Sequence, residues 1–251
     1  MAVGTTSGSG SQVTQVAVVT NPNARDKSAL YDDRLIPRTA LVDPQLTLSV
    51  PPAVTAATGF DVLCHAFESI LNPQSSPMTE LFAWEAIRRV IRDLPVAVHE
   101  GGNLHARGSL AWADTLAGLA ICRAGVVLPH GIAMAVGGMF PDTPHGAALA
   151  AIYRACLEFT WPSAVPKFAV LARSLDPEFE AAPDAEAAAA CSGLLQAFLN
   201  QIGLERSLGR HGILESELPA LAKQSMVLPD YANNPKVPTL EEVQDVLARS
   251  L

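Results

Sequence analysis

Asp61 and His65 lie four residues apart in "GFDVLCHAFESI", Gly59 to Ile70, a run that otherwise reads as an apolar helix. On a helix that spacing stacks the two side chains one turn apart on one face, so a carboxylate oxygen and an imidazole nitrogen can aim at one point. This is the spacing of paired metal ligands, with a carboxylate in the place of the first histidine of an H-E-x-x-H helix. The pair by itself is equally an internal hydrogen-bonded couple or a cap. Two further histidines stand in similar settings, His130 in "LPHGIAM" and His145 in "TPHGAAL", each after a proline and before a glycine near an expected helix start. One oxygen and three nitrogens suit Zn²⁺ or Fe²⁺, and an ion with an open position can polarise an oxygen as a Lewis acid. His99, His105 and His211 sit in polar surroundings and read as solvated. Cys64 points about a quarter-turn from His65 and reads as core, as do Phe60, Leu63 and Phe67.

The elements that must position these residues change character once along the chain. Between Gln12 and Pro52 the runs "VTQVAVVT" and "TALVD" are rich in β-branched residues and read as strands, with the turn-prone "NPNARDK" between them. Beyond Pro52 the pattern is helical. Ser76 and Pro77 supply an N-cap and first turn for a helix carrying Phe82, Ile87, Val90 and Ile91, which Pro95 is expected to stop. Leu104 to Cys122 reads as a second helix, Thr143 and Pro144 open a third, and Gly203 is placed to end a later one. Thr239 and Glu242 form a capping box for the last. The pattern predicts a mainly α chain, a small strand-bearing segment over 1–52 followed by an all-helical bundle over 53–251.

Composition narrows the chemistry. The 251 residues are 49% hydrophobic, enough for a sizeable core, and carry a net charge of −8. That charge argues against nucleic-acid and anionic-membrane partners, which need clustered Lys and Arg. The 4 cysteines, Cys64, Cys122, Cys156 and Cys191, lack C-x-x-C spacing and fit reduced thiols in a cytoplasm. The N-terminus has no basic flank or apolar run typical of a secretory signal.

Five separated stretches carry a resemblance: "TTSGSGSQVTQVAVVT", "RLIPRTALVDPQLTLSVPP", "TAATGFDVLCHAFES", "LPHGIAMAVGGMFPDTPHG" and "NNPKVPTLEE". In this order they resemble the iron-containing (group III) alcohol dehydrogenase family over almost the whole chain. The resemblance implies the dehydroquinate synthase-like, iron alcohol dehydrogenase fold, with residues 1–52 a remnant of the dinucleotide-binding domain and 53–251 the metal-binding catalytic domain. It further implies a divalent ion, Fe²⁺ or Zn²⁺, held by Asp61, His65, His130 and His145. The related maleylacetate reductases commonly have Asn at the position of Asp61, so this chain matches the metal-using branch. The implied reaction is hydride transfer between a primary alcohol or aldehyde and NAD or NADP. Residues matching Thr5, Thr6 and Ser9 approach the nicotinamide half of the cofactor, and Lys27 matches a lysine near its ribose. Read by composition alone, "GTTSGSGS" is a flexible linker.

The chain departs from the family pattern in three places. It has no glycine-rich turn after a strand, the feature that binds the pyrophosphate and adenosine half. A truncated form is therefore expected, with a nucleotide-binding domain supplied by a longer chain or a separate partner, or with self-association into a homo-oligomer. Met134 stands where many members have a histidine linked to proton relay, and methionine moves no proton. Gln12 stands where Glu is frequent. The competing expectation is a noncatalytic metal-binding or interaction module derived from the same family.

Overall fold

The computed structural model describes residues 1–204 and 207–251. The described residues form two compact units, one of Met1–Thr20 with Lys27–Val126, the other of Asn21–Asp26 with Val127–Leu251.

In the first unit, strand β1 (Ala2–Val3) pairs in parallel with β4 (Ala40–Leu41), Ala2 opposite Ala40 and Val3 opposite Leu41. A hairpin joins β2 (Val16–Asn21) to β3 (Asp26–Tyr31), with Arg25 at φ 51° in its tight turn. The expected strand over "VTQVAVVT" thus begins three residues late, at Val16, because Val13 and Thr14 belong to the loop before it. β3 occupies "DKSALY", where no β-branched residue marks a strand; its partner β2 supplies the pairing that its own propensity does not.

Three helices follow, α1 (Pro52–Leu71), α2 (Pro77–His99) and α3 (Leu104–Ala124), and each packs on the other two. α1 is apolar almost all round and buried from Thr55 onward nearly without a break, which makes it the central element of this unit. Phe60, Leu63, Phe67, Ile70, Ile87, Val90 and Leu94 are fully buried between α1 and its neighbours. Ser76 caps α2 through a reciprocal box with Thr79, and Asn103 caps α3 through the Ala106 N–H. α2 does not stop at Pro95 but continues to His99. The missing N–H forfeits one hydrogen bond in the last turns, while Leu94, Pro95, Ala97 and Val98 are all buried, and that burial outweighs the loss.

The second unit is helical: α4 (Leu128–Met139), α5 (His145–Thr160), α6 (Val165–Leu175), α7 (Asp184–Gln201), α8 (Leu218–Ser225) and α9 (Leu240–Ala248). α5 lies against α4, α7 and α9, and α4 and α9 both pack on α8. Leu149, Ile152, Tyr153, Phe168, Leu195, Val243 and Val246 form its buried interior. Gly203, at φ 65°, follows the end of α7, and Thr239 with Glu242 closes the capping box of α9. The hairpin tip belongs to this unit, where Arg25 donates to the Met139 carbonyl at 3.3 Å and Gln224 donates to Asp26 at 3.0 Å.

Among the described residues no single helix is long and apolar enough to cross a membrane. None of the four cysteines is joined in a disulfide, and burial pushes the Cys191 thiol up to about 12.

Candidate metal and cofactor site

In the first unit the helical spacing puts Asp61 and His65 side by side on α1. The Asp61 Oδ1 to His65 Nε2 separation is 3.8 Å, too long for a hydrogen bond and within the roughly 4 Å that two donors about 2.1 Å from one ion can span. Both residues are buried. The other ring nitrogen, His65 Nδ1, lies 3.1 Å from the carbonyl oxygen of Gly8. A carbonyl can only accept, so Nδ1 carries a proton and Nε2 is the ring nitrogen turned toward Asp61. This is the outer hydrogen bond that fixes tautomer and ring orientation in metal-binding histidines.

Gly8 belongs to a loop, residues 4–14, that lies on α1 and α3. A Cβ on Gly8 would stand 2.8 Å from Thr58 Cβ, and one on Gly10 would stand 2.6 Å from Gly118 Cα. Gly10 also holds φ 61°. The loop is anchored by Asp114 of α3, which accepts the Gly10 N–H at 2.8 Å on Oδ1 and the Gln12 side-chain amide at 2.9 Å on Oδ2. Gln12 also reaches the Thr115 hydroxyl at 3.1 Å. Burial pushes the Asp114 carboxyl up to about 6; the donors from Gln12 and Gly10 pull the other way, and the charge of Asp61 adds a smaller upward push.

Thr5, Thr6 and Ser9 are exposed along this loop. Thr6 lines a small pocket with Gln12, Asp43, Thr47 and Asp114, while Thr5 and Ser9 lie outside that lining, Ser9 meeting the Ser11 hydroxyl at 3.0 Å. Lys27, at the start of β3, is half-buried; burial holds its ammonium below the ordinary lysine value, against an opposing pull from the Asp61 charge.

In the second unit His130 and His145 occupy the first turns of α4 and α5. Their ring centroids are 5.4 Å apart with planes inclined by 59°, and His130 is buried while His145 is half-buried. Close packing of α4 on its neighbours fixes the first of them: a Cβ on Gly131 would stand 3.4 Å from the Ser225 carbonyl oxygen. Met134 follows His130 by one turn and is buried. His99 and His105 are exposed, and His211 is half-buried.

Gly8 and Asp114 are the residues the sequence reading passes over. Asp114 carries the signal that draws attention to Asp61, an acid within the apolar run "SLAWADTLAGLA". For Gly8 there is no such signal, since its part is played by a backbone carbonyl.

Comparison with known proteins agrees with this architecture. Residues 55–251 match the family model described as Fe-containing alcohol dehydrogenase family, C-terminal, and residues 1–44 match that of Iron-containing alcohol dehydrogenase. The chain is 33% identical to 1-propanol dehydrogenase PduQ of Salmonella typhimurium, across 100% of this chain and 69% of that protein. It is 36% identical to long-chain-alcohol dehydrogenase 1 of Geobacillus thermodenitrificans, across 94% of this chain and 59% of the relative. The structure of an alcohol dehydrogenase from Oenococcus oeni superposes with a TM-score of 0.95 at 28% identity, covering 99% of this chain and 65% of that one. The chain thus spans about 60 to 70% of the length of the relatives it matches. With both family models in sequence order and a relative matched from end to end of this chain, the protein belongs to the iron-containing alcohol dehydrogenase family.

Proposed function

We propose that this chain is the metal-binding and substrate-binding part of an NAD(P)-dependent alcohol dehydrogenase acting on a primary alcohol or its aldehyde in the cytoplasm. Asp61, His65, His130 and His145 would hold one divalent ion, Fe²⁺ or Zn²⁺. The donor set fits: one carboxylate and three imidazoles suit either metal, and with a divalent ion they leave a net positive site that favours developing negative charge on oxygen. When bound, the ion supplies Lewis acidity toward an alcohol or carbonyl oxygen. The observation that carries this reading is the buried His65, turned by the Gly8 carbonyl so that Nε2 faces Asp61.

The chain's own residues do the rest. Residues 1–52 are read as the end of a dinucleotide-binding domain, and the loop bearing Thr5, Thr6 and Ser9 offers hydroxyls and backbone N–H groups to the nicotinamide half. Lys27 would lie toward the ribose. A bound nicotinamide would supply the hydride acceptor for alcohol oxidation, and the hydroxyl proton would have to leave by a route that avoids position 134, because methionine has no exchangeable proton. Met134 instead gives the substrate pocket an apolar wall, in keeping with simple alkyl substrates.

The test is to load the purified chain with Fe²⁺ or Zn²⁺, add NADH with propanal, and follow both cofactor fluorescence and loss of nicotinamide absorbance. Metal-dependent oxidation of NADH is the expected result. Retained metal with no NADH binding and no turnover contradicts the dehydrogenase reading and leaves a noncatalytic metal-binding module.

A further inference from the structure

We propose that Asp114 is a positioning residue: its carboxylate anchors the Gly8–Gln12 loop so that the Gly8 carbonyl holds His65 with Nε2 turned to the ion, an inference that rests on the metal reading above. The path is continuous within one unit. Asp114 accepts from Gly10 and from Gln12 on its two separate oxygens, and the Gly8 N–H adds a further backbone donor. The opposite face of the Gly8 residue offers its carbonyl to His65 Nδ1 at 3.1 Å.

Several features argue that the carboxylate does more than fill space. It is 3% exposed, on a helix face whose neighbours Ala111 and Ala117 are buried alanines, where an apolar side chain avoids the cost of burying a charge. Its two oxygens diverge, so one side chain ties down both a main-chain and a side-chain donor of the loop. Gly8 and Gly10 lie so close to Thr58 and Gly118 that the loop sits against the helices without a spacer, and a small shift at Gly10 moves the Gly8 carbonyl. That carbonyl is the acceptor that the geometry gives the imidazole proton. Without the anchor, the ring is free to turn or to take the other tautomer, and an outer partner of this kind governs metal affinity by about 10- to 100-fold. Thr6 lines the same small pocket as Asp114, so the anchor also holds the wall that would face a bound nicotinamide.

Co²⁺ serves as the probe, its affinity measured in neutral buffer by competition with a chelator, with the ligand-field spectrum recorded alongside and thermal unfolding followed on the metal-free chain. Asp114→Ala is expected to weaken Co²⁺ binding by about tenfold or more. Asp114→Asn keeps an acceptor for Gly10 and can pair with a turned Gln12 amide, so it is expected to stay within about threefold of the wild type. Gln12→Met leaves α3 intact and removes the side-chain donor that Asp114 holds; it is expected to weaken binding in the same direction, and it decides the matter if Asp114→Ala does not fold. A purely structural Asp114 would lower the unfolding temperature without moving Co²⁺ affinity, and that result overturns the proposal. Equal loss in the Ala and Asn variants overturns it too. Wild-type protein that binds no Co²⁺ removes the metal reading and this proposal together, whereas tight wild-type binding unchanged in Asp114→Ala and Gln12→Met removes this proposal alone.

Discussion

The Nδ1 atom of His65 meets the carbonyl oxygen of Gly8 at 3.1 Å across 57 residues of sequence. An imidazole in the middle of α1 is thereby tied to a loop that precedes every helix of the chain. Orientation of the ring depends on that loop staying in place, and the loop's own anchors lie on α3.

Close packing of the loop gives the first prediction. A Cβ at Gly118 would stand 2.7 Å from Val13 Cγ2, 2.9 Å from Gly10 Cα and 3.0 Å from the Gly10 oxygen. On a free helix face Gly→Ala stabilises by about 1 kcal/mol. Here two of the three obstacles are backbone, so Gly118→Ala is expected to destabilise by about 1–3 kcal/mol in urea unfolding. A stabilised variant would show that the loop does not rest on α3.

Arg107 ties the start of α1 to α3. Its guanidinium, buried with the residue 3% exposed, donates to the Gly101 carbonyl at 3.0 Å, the Thr55 hydroxyl at 2.7 Å and the Val50 carbonyl at 3.0 Å. Arg107→Met keeps most of the volume and strands these acceptors, at an expected cost of about 2–4 kcal/mol in unfolding free energy. Lysine, a point donor without the planar fork, should recover less than half of it. An Arg107→Met protein as stable as the wild type would refute the role.

Asp114 makes stability depend on pH. Burial raises its folded-state value to about 6 from an ordinary 3.8, so the folded chain keeps the proton to higher pH than the unfolded chain does. The stability contributed by this titration is complete below the unfolded value and is lost as pH rises through about 6. Asp114→Asn does not titrate. The unfolding free energy of the wild type relative to that variant should therefore fall by about 3 kcal/mol between roughly pH 4 and pH 7. A flat difference over that window would mean the carboxylate is already ionised throughout.

Local chemistry was legible in the sequence where it acts over a few residues. Ser76 with Pro77, Thr239 with Glu242, and Gly203 all stand where their caps require, because each acts on the backbone next to it. The four-residue spacing likewise suffices to bring Asp61 beside His65 on one helix. Pro95 misleads because a local rule meets a buried environment: the helix runs on since the residues around the proline are packed. β3 is missed because Lys27 to Tyr31 take their strand form from β2 rather than from their own preferences. The bond from His65 to Gly8 and the anchor from Asp114 to Gly10 end on backbone atoms far away in the chain, where residue type leaves no trace.

Metal content of single-ligand variants tests the central claim most directly. The chain is purified anaerobically, loaded with Fe²⁺, desalted and analysed for bound metal beside its far-ultraviolet circular dichroism. The wild type should carry about one ion per chain, and His65→Ala and His145→Ala should each lose nearly all of it while keeping their helical signal, because a site built from four donors fails when one is removed. Full metal occupancy in either variant would contradict the four-residue site.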